Sequence, residues 1–166
     1  MDKGQEWLIG ALPAIRAEFP KAKLLLAGDG PCRGRLESLA REMKLNGAVI
    51  FAGFVKEVEG VYAALDVFLL PSMFEALSNS LMSAMAYGVP SIAFHSGGPA
   101  EIIEDETSGL LVPEKDPEAI ASAVKRILRE PELAAHLRQA GRVRIEAMFS
   151  ADKMVQAMLR VYESIL

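Results

Sequence analysis

Apolar and polar positions along this chain switch repeatedly between two periods. Trp7, Leu8, Leu12, Ile15 and Phe19 recur at three- and four-residue spacing, which predicts an amphipathic helix even though Pro13 falls in its middle. Residues 23–27 (K-L-L-L-A) are instead a short unbroken apolar run ending at Gly28, the pattern of a buried strand. The alternation then repeats. Leu36, Leu39, Ala40, Met43 and Leu45 form a second helical stripe, and 49–53 (V-I-F-A-G) a second strand. A short helix is predicted near 58–65, and a third strand at 67–70, stopped by Pro71-Ser72. Residues 80–87 read as a helix capped by Gly88, 90–94 as a fourth strand, 100–104 as a short helix and 109–112 as an edge strand. From Asp116 onward the chain is helical in three segments, with breaks at Glu130-Pro131 and near 149–151.

Strands separated by helices require crossover connections. The expected architecture is therefore α/β: a single Rossmann-like domain over residues 1–166, its parallel sheet covered by helices on both faces, with extra helices at the C-terminus. The first element is a helix where such folds usually open with a strand, so the chain is expected to begin inside a larger fold.

Composition narrows the function classes. Hydrophobic residues make up 51% and charged residues 24%, which excludes a disordered chain. The net charge is -4 and no basic stripe stands out, which argues against a nucleic-acid partner. Cys32 is the single cysteine, so no internal disulfide forms, in keeping with a reducing compartment. His95 and His136 stand far apart with no cysteine or histidine cluster, so no metal site is expected. The polar first residues do not resemble a signal peptide, and no apolar run approaches the ~20 residues of a membrane span. A cytoplasmic protein is expected, with contact at the inner membrane face left open through a part outside this chain.

Ligands of doubly wound sheets bind beyond the carboxyl ends of the strands, and four loops leave strands there. Gly28, Gly30 and Gly34 follow the first strand with spacing G-x-G-x-x-x-G, one residue longer than a dinucleotide fingerprint, so a tight strand-to-helix turn explains them as well. Residues 71–80 place Glu75 after the third strand and small residues ahead of a helix. Free N–H groups at that helix start suit an anion such as a pyrophosphate, while Glu75 suits sugar hydroxyls; Ser78 or Asn79 acting purely as a helix cap is the alternative. Gly97-Gly98-Pro99-Ala100-Glu101 follows the fourth strand, where two glycines either admit a ligand to the backbone or make a plain turn. His95, alone at a strand end, reads as a packing or hydrogen-bonding residue.

Taken in order, these segments resemble the C-terminal domain of retaining glycosyltransferases of group 1 (family 4), which have the GT-B fold. The resemblance runs from Asp2-Lys3-Gly4 through L-L-L-A-G-D-G-P (24–31), V-I-F-A-G-F-V (49–55) and A-A-L-D-V-F-L-L-P-S-M-F-E (63–75). It continues through A-M-A-Y-G-V-P (84–90), G-G-P-A-E-I-I (97–103) and S-G-L-L-V-P (108–113). The resemblance implies a domain that binds a nucleoside-diphosphate sugar as donor substrate, with no cofactor or metal, and that lacks its N-terminal acceptor domain. It implies that Lys3 neutralises the donor diphosphate, that Phe54 and Val55 meet the nucleotide base, and that Leu77, Ser78 and Asn79 lie along the sugar and diphosphate. Gly28, Gly30 and Glu101 are carried as further donor-binding candidates. Glu75 resembles the first glutamate of the family's E-x7-E motif, near the reacting sugar, and is the catalytic candidate.

The second glutamate of that motif falls at Ser83, so the ribose end of the site departs from the family pattern. Serine is short and uncharged, and losing a charged hydrogen bond there weakens binding by ~1.5–3 kcal/mol. A degenerate, non-catalytic binding or scaffolding module is accordingly the alternative reading. The last helix resembles one that in the family crosses to the other domain. Tyr162 and Leu166 are therefore expected to belong to an exposed apolar patch, or to one covered by self-association.

Overall fold

The computed structural model describes residues 3–165, so Asp2 and Leu166, named above, lie outside the described residues. Its elements follow the predicted alternation: α1 (Gln5–Arg16), β1 (Leu24–Ala27), α2 (Arg33–Glu42), β2 (Val49–Gly53), α3 (Glu59–Ala64), β3 (Phe68–Leu70), α4 (Asn79–Ala86), β4 (Ser91–Phe94), α5 (Gly97–Ile102), β5 (Leu110–Val112), α6 (Pro117–Arg129), α7 (Pro131–Met148) and α8 (Ala151–Ile165). Among the described residues each pair of neighbouring strands is parallel, as the crossover helices require.

The continuous sheet expected from the pattern is divided. β1 pairs with β2, and β3, β4 and β5 form a separate sheet in that order. All four residues of β4 are buried, whereas Leu24, Leu25 and Leu26 of β1 and Phe68 and Leu69 of β3 are half-buried. Ser91 is tolerated within β4 because its hydroxyl donates to the Val89 carbonyl at 2.9 Å.

α1 buries Leu8, Ile9, Ala11, Leu12 and Ile15 on one stripe, against α6 on one side and α2 on the other. Pro13 sits within this helix and is exposed. An internal proline costs ~3 kcal/mol, which the stripe offsets at ~1.5–3 kcal/mol for each large buried side chain. α6 starts where Asp116 accepts hydrogen bonds from the Glu118 and Ala119 amides at 3.0 and 2.9 Å, with Pro117 in the first turn. α7 is tied to α5 by Arg144, whose Nε donates to the Ile102 carbonyl at 2.7 Å. α8 has no buried residue, and Met154, Val155, Met158, Leu159, Tyr162 and Ile165 recur along it at helical spacing. The exposed apolar patch expected around Tyr162 is there.

Candidate functional site

The loops beyond the strand ends hold each other through glycines. Gly4 has φ 75°, and a Cβ there would lie 2.2 Å from the Pro71 carbonyl oxygen. The Gly98 amide donates to the Glu75 carbonyl at 3.0 Å. A Cβ on Gly98 would lie 1.1 Å from the Ala76 carbonyl oxygen. These contacts bind the approach to α1, the loop after β3 and the start of α5 into one body. They also correct the idea that Gly97 and Gly98 admit a ligand: the space a side chain would fill is already taken by the backbone of residues 75–76. Both glycines lie in the first turn of α5, which begins three residues before the expected start at Ala100.

Fixing these loops brings Lys3 to Glu75. Lys3 Nζ lies 2.9 Å from Glu75 Oε2, with the lysine side chain 53% exposed and the glutamate 19%. A cation and a carboxylate thus meet at the carboxyl end of β3, one reachable and the other largely shielded. Ser78 is only 2% exposed, and its hydroxyl accepts the Leu81 amide at 3.4 Å as the N-cap of α4. Its side chain therefore serves as a cap, and any ligand contact from this residue would have to come from its backbone. Asn79 opens α4 and is exposed. Phe74 and Leu77, in the same loop, are 80% and 55% exposed, a high value for apolar groups on a structured loop.

On the β1–β2 side, the Gly28 amide donates to the Gly53 carbonyl at 2.7 Å, and nothing lies within 4 Å of a Cβ on Gly28 or Gly30. This loop, unlike the one after β4, does leave its backbone open. Asp29 Oδ1 accepts the Gly30 amide at 2.8 Å. Arg33 Nε donates to Glu37 at 2.8 Å, and its Nη1 reaches Asp29 at 3.4 Å. These partners, Glu37 first, hold the guanidinium pKa above its ordinary value. Phe54 is 83% exposed and Val55 half-buried.

Lys3, Gly28, Gly30 and Glu75 line one cleft, together with Asp29, Arg33, Tyr62 and Ser80. Phe54, Val55, Leu77, Ser78, Asn79, Ser83 and Glu101 lie outside that lining. Ser83 is half-buried one turn into α4, near Tyr62, whose hydroxyl donates to the Ser80 carbonyl at 3.4 Å. The Tyr62 ring stacks on Tyr87 at a centroid distance of 5.3 Å. Burial raises the Tyr62 phenol pKa, and the nearby Ser83 hydroxyl offsets part of that rise. Glu101 is exposed on α5, and its carbonyl accepts from Arg144 Nη2 at 3.0 Å. His95 is exposed, its amide bonded to the Val112 carbonyl at 2.9 Å. Among the described residues no cluster of three or more His, Cys, Asp or Glu is placed to hold a metal ion.

Arg33 and Tyr62 were not singled out from the sequence. An arginine in the first turn after a G-x-G loop is a signal that was there to be read for Arg33. Tyr62 offered none, because the Ser80 carbonyl to which it donates is 18 positions away on another helix.

Fold and site together define an α/β half-domain whose candidate residues gather at the carboxyl ends of parallel strands, where ligands of such sheets bind. The family described as "Glycosyl transferases group 1" matches residues 1–130, and the chain belongs to that family. It is 34% identical over 149 residues to the GDP-mannose-dependent alpha-(1-6)-phosphatidylinositol monomannoside mannosyltransferase of Mycolicibacterium smegmatis, covering 84% of this chain and 39% of that protein. Among solved structures it is similar to sucrose-phosphate synthase from Thermosynechococcus elongatus, with a TM-score of 0.87, 34% identity, and coverage of 98% of this chain and 42% of that one. It is also similar to the C-terminal domain of a glycosyl transferase group 1 family protein from Francisella tularensis, with a TM-score of 0.81, 25% identity, and coverage of 90% of this chain and 80% of that one. The chain spans less than half the length of several curated relatives, 42% of one and 46% of another. It corresponds to one half of a GT-B fold, the C-terminal domain.

Proposed function

We propose that this chain is the donor-binding half of a retaining hexosyltransferase. In this reading it holds a nucleoside-diphosphate sugar at the strand ends, and the acceptor binds on a domain outside this chain. The observation that carries the proposal is the Lys3–Glu75 pair, set at the carboxyl end of a parallel strand by glycines whose Cβ would clash with backbone. Lys3 turns to the diphosphate, and departure of the nucleoside diphosphate builds negative charge that a fixed cation and the start of α4 stabilise without rearranging. Glu75 then accepts hydrogen bonds from the sugar and supports the positive charge that develops at its reacting carbon. Phe54 and Val55 take the base, the backbone of Leu77, Ser78 and Asn79 runs along the diphosphate, and Gly28 and Gly30 bound the pocket. The name of the mycobacterial relative, dependent on GDP-mannose, supports a sugar-nucleotide donor.

A second reading, a binding module without catalysis, draws on Ser83, which stands where the family pattern has glutamate. In either reading the isolated chain binds nucleotide weakly and transfers no sugar; in the first, the full-length protein works in the cytoplasm, at the inner face of the membrane where its acceptor is a lipid. Among the described residues no helix is long and apolar enough to cross a membrane. Calorimetric titration with UDP, GDP, ADP and CDP tests the proposal. One nucleotide is expected to bind measurably, and Lys3→Ala to weaken it at least tenfold. Equal affinity of parent and Lys3→Ala, or no binding of any of the four, would overturn the assignment.

A further inference from the structure

We propose that Arg33 selects the base of the donor, favouring a base that turns a carbonyl oxygen to it, guanine or uracil, over adenine. The inference rests on the donor-binding reading above and gives a task to a residue which that reading leaves unused. Arg33 is the first residue of α2, just past the loop that follows β1, and it lines the same cleft as Lys3, Gly28, Gly30 and Glu75. Its Nη1 would lie 3.4 Å from a Cβ on Gly53, the last residue of β2. Phe54 and Val55 follow Gly53 directly, so the guanidinium stands at the foot of the segment assigned to the base.

Charge decides which part of the donor Arg33 meets. Its Nε donates to Glu37 at 2.8 Å and its Nη1 to Asp29 at 3.4 Å. Two carboxylates therefore outnumber the one cation. A diphosphate brought to this spot would meet both carboxylates along with the guanidinium, and like charges repel. Lys3, which meets one carboxylate and is 53% exposed, suits the diphosphate better and stands at the end of β3. A base is neutral and meets no such repulsion. The carboxylates also hold the guanidinium in one plane, with Asp29 itself fixed by accepting the Gly30 amide at 2.8 Å. A planar donor group held this way is preorganised for a flat partner.

The part of the guanidinium left over is a donor edge. The group carries five N–H donors and no acceptor. Among the described residues Nη2 forms no hydrogen bond to the protein, so its two N–H groups remain for a ligand. Guanine matches such an edge with O6 and N7, and uracil with a ring carbonyl. Adenine sets its N6 amine beside N7, so a donor faces a donor. There is room for the ring, since nothing lies within 4 Å of a Cβ on Gly28, Gly30 or Gly34. The Phe54 ring, 83% exposed beside this floor, adds an aromatic face for stacking.

Calorimetric titration of the parent, Arg33→Gln, Arg33→Lys and Lys3→Ala with UDP, GDP and ADP tests the proposal, with thermal unfolding to establish that each variant folds. The deciding quantity is the affinity for the better of UDP and GDP divided by that for ADP. The parent ratio is expected to be at least tenfold. Arg33→Gln should bring it to within threefold of unity, and Arg33→Lys, which keeps the charge but not the planar fork, should lower it as well. Lys3→Ala should weaken all three nucleotides and leave the ratio in place. A parent that prefers ADP would overturn the proposal. So would an unchanged ratio in Arg33→Gln, whether affinity is kept or falls equally for all three, because Arg33 would then serve the diphosphate or nothing. If Lys3→Ala still weakens binding in that case, the donor-binding reading stands and this inference alone fails; a parent that binds none of the three overturns both. Should Arg33→Gln fail to fold, Glu37→Gln, which keeps the arginine but unlocks its plane, is read by the same ratio with the same outcomes deciding.

Discussion

Gly98→Ala isolates the contact that shapes the candidate site. The added methyl group would stand 1.1 Å from the Ala76 carbonyl oxygen, 2.3 Å from its carbon and 3.1 Å from the Glu75 oxygen. These are backbone atoms, so no side-chain rotation relieves the clash. The 75–76 peptide must retreat by about 2 Å to reach a tolerable carbon–oxygen separation. That displacement breaks the Gly98–Glu75 backbone bond, worth ~0.5–1.5 kcal/mol, and adds an overpacking cost of ~1–3 kcal/mol. The sum, ~1.5–4.5 kcal/mol, lowers the melting temperature by roughly 3–18 °C in a domain of this size. Because Glu75 moves with its peptide, the Lys3–Glu75 pair parts and nucleotide affinity falls as well. Thermal unfolding by circular dichroism and calorimetric titration read the two effects. Gly34→Ala is the control: it lies within α2 with nothing within 4 Å of its Cβ, and is expected to be neutral or stabilising by up to ~1 kcal/mol. A Gly98→Ala protein that melts within about 1 °C of the parent would refute the reasoning, since the loop could then absorb the methyl group freely.

Ser83→Glu is expected to raise nucleoside-diphosphate affinity about ten- to a hundredfold, the equivalent of ~1.5–3 kcal/mol. Calorimetry measures it, and an unchanged affinity would favour the binding-module reading. The raised Tyr62 pKa makes folding hold the phenol neutral, so the stability it contributes is present below the unfolded value near 10 and is lost as pH rises through the folded value. Between pH 9 and about 11 the parent should therefore lose denaturant resistance faster than Tyr62→Phe; parallel loss in the two proteins would count against burial as the cause.

The elements were legible because burial writes its period directly into sequence. The S-I-A-F run of β4 and the stripe of α1 were readable, as was the end of α4 at Gly88. Strand pairing was not, because an apolar run declares that it is buried and not beside which neighbour, so the break between β1 and β3 had no sequence signature. α5 begins at Gly97, against the usual preference of glycine, because residues 75–76 leave no room for a side chain. Ser78 proved to be a cap, the reading its residue type favours on its own. Tyr62 with Ser83, and Gly98 with Ala76, are contacts across space whose partners share no local pattern.

The candidate site straddles the unpaired strand edges, and this links ligand to architecture. Gly28, Asp29 and Arg33 follow β1, while Glu75 and Gly98 follow β3 and β4 on the other sheet. A diphosphate sugar that touches both groups needs their separation held to about 0.5 Å. In the present chain the helices packed across the cleft, α1 and α6 foremost, must hold it without a ladder between β1 and β3.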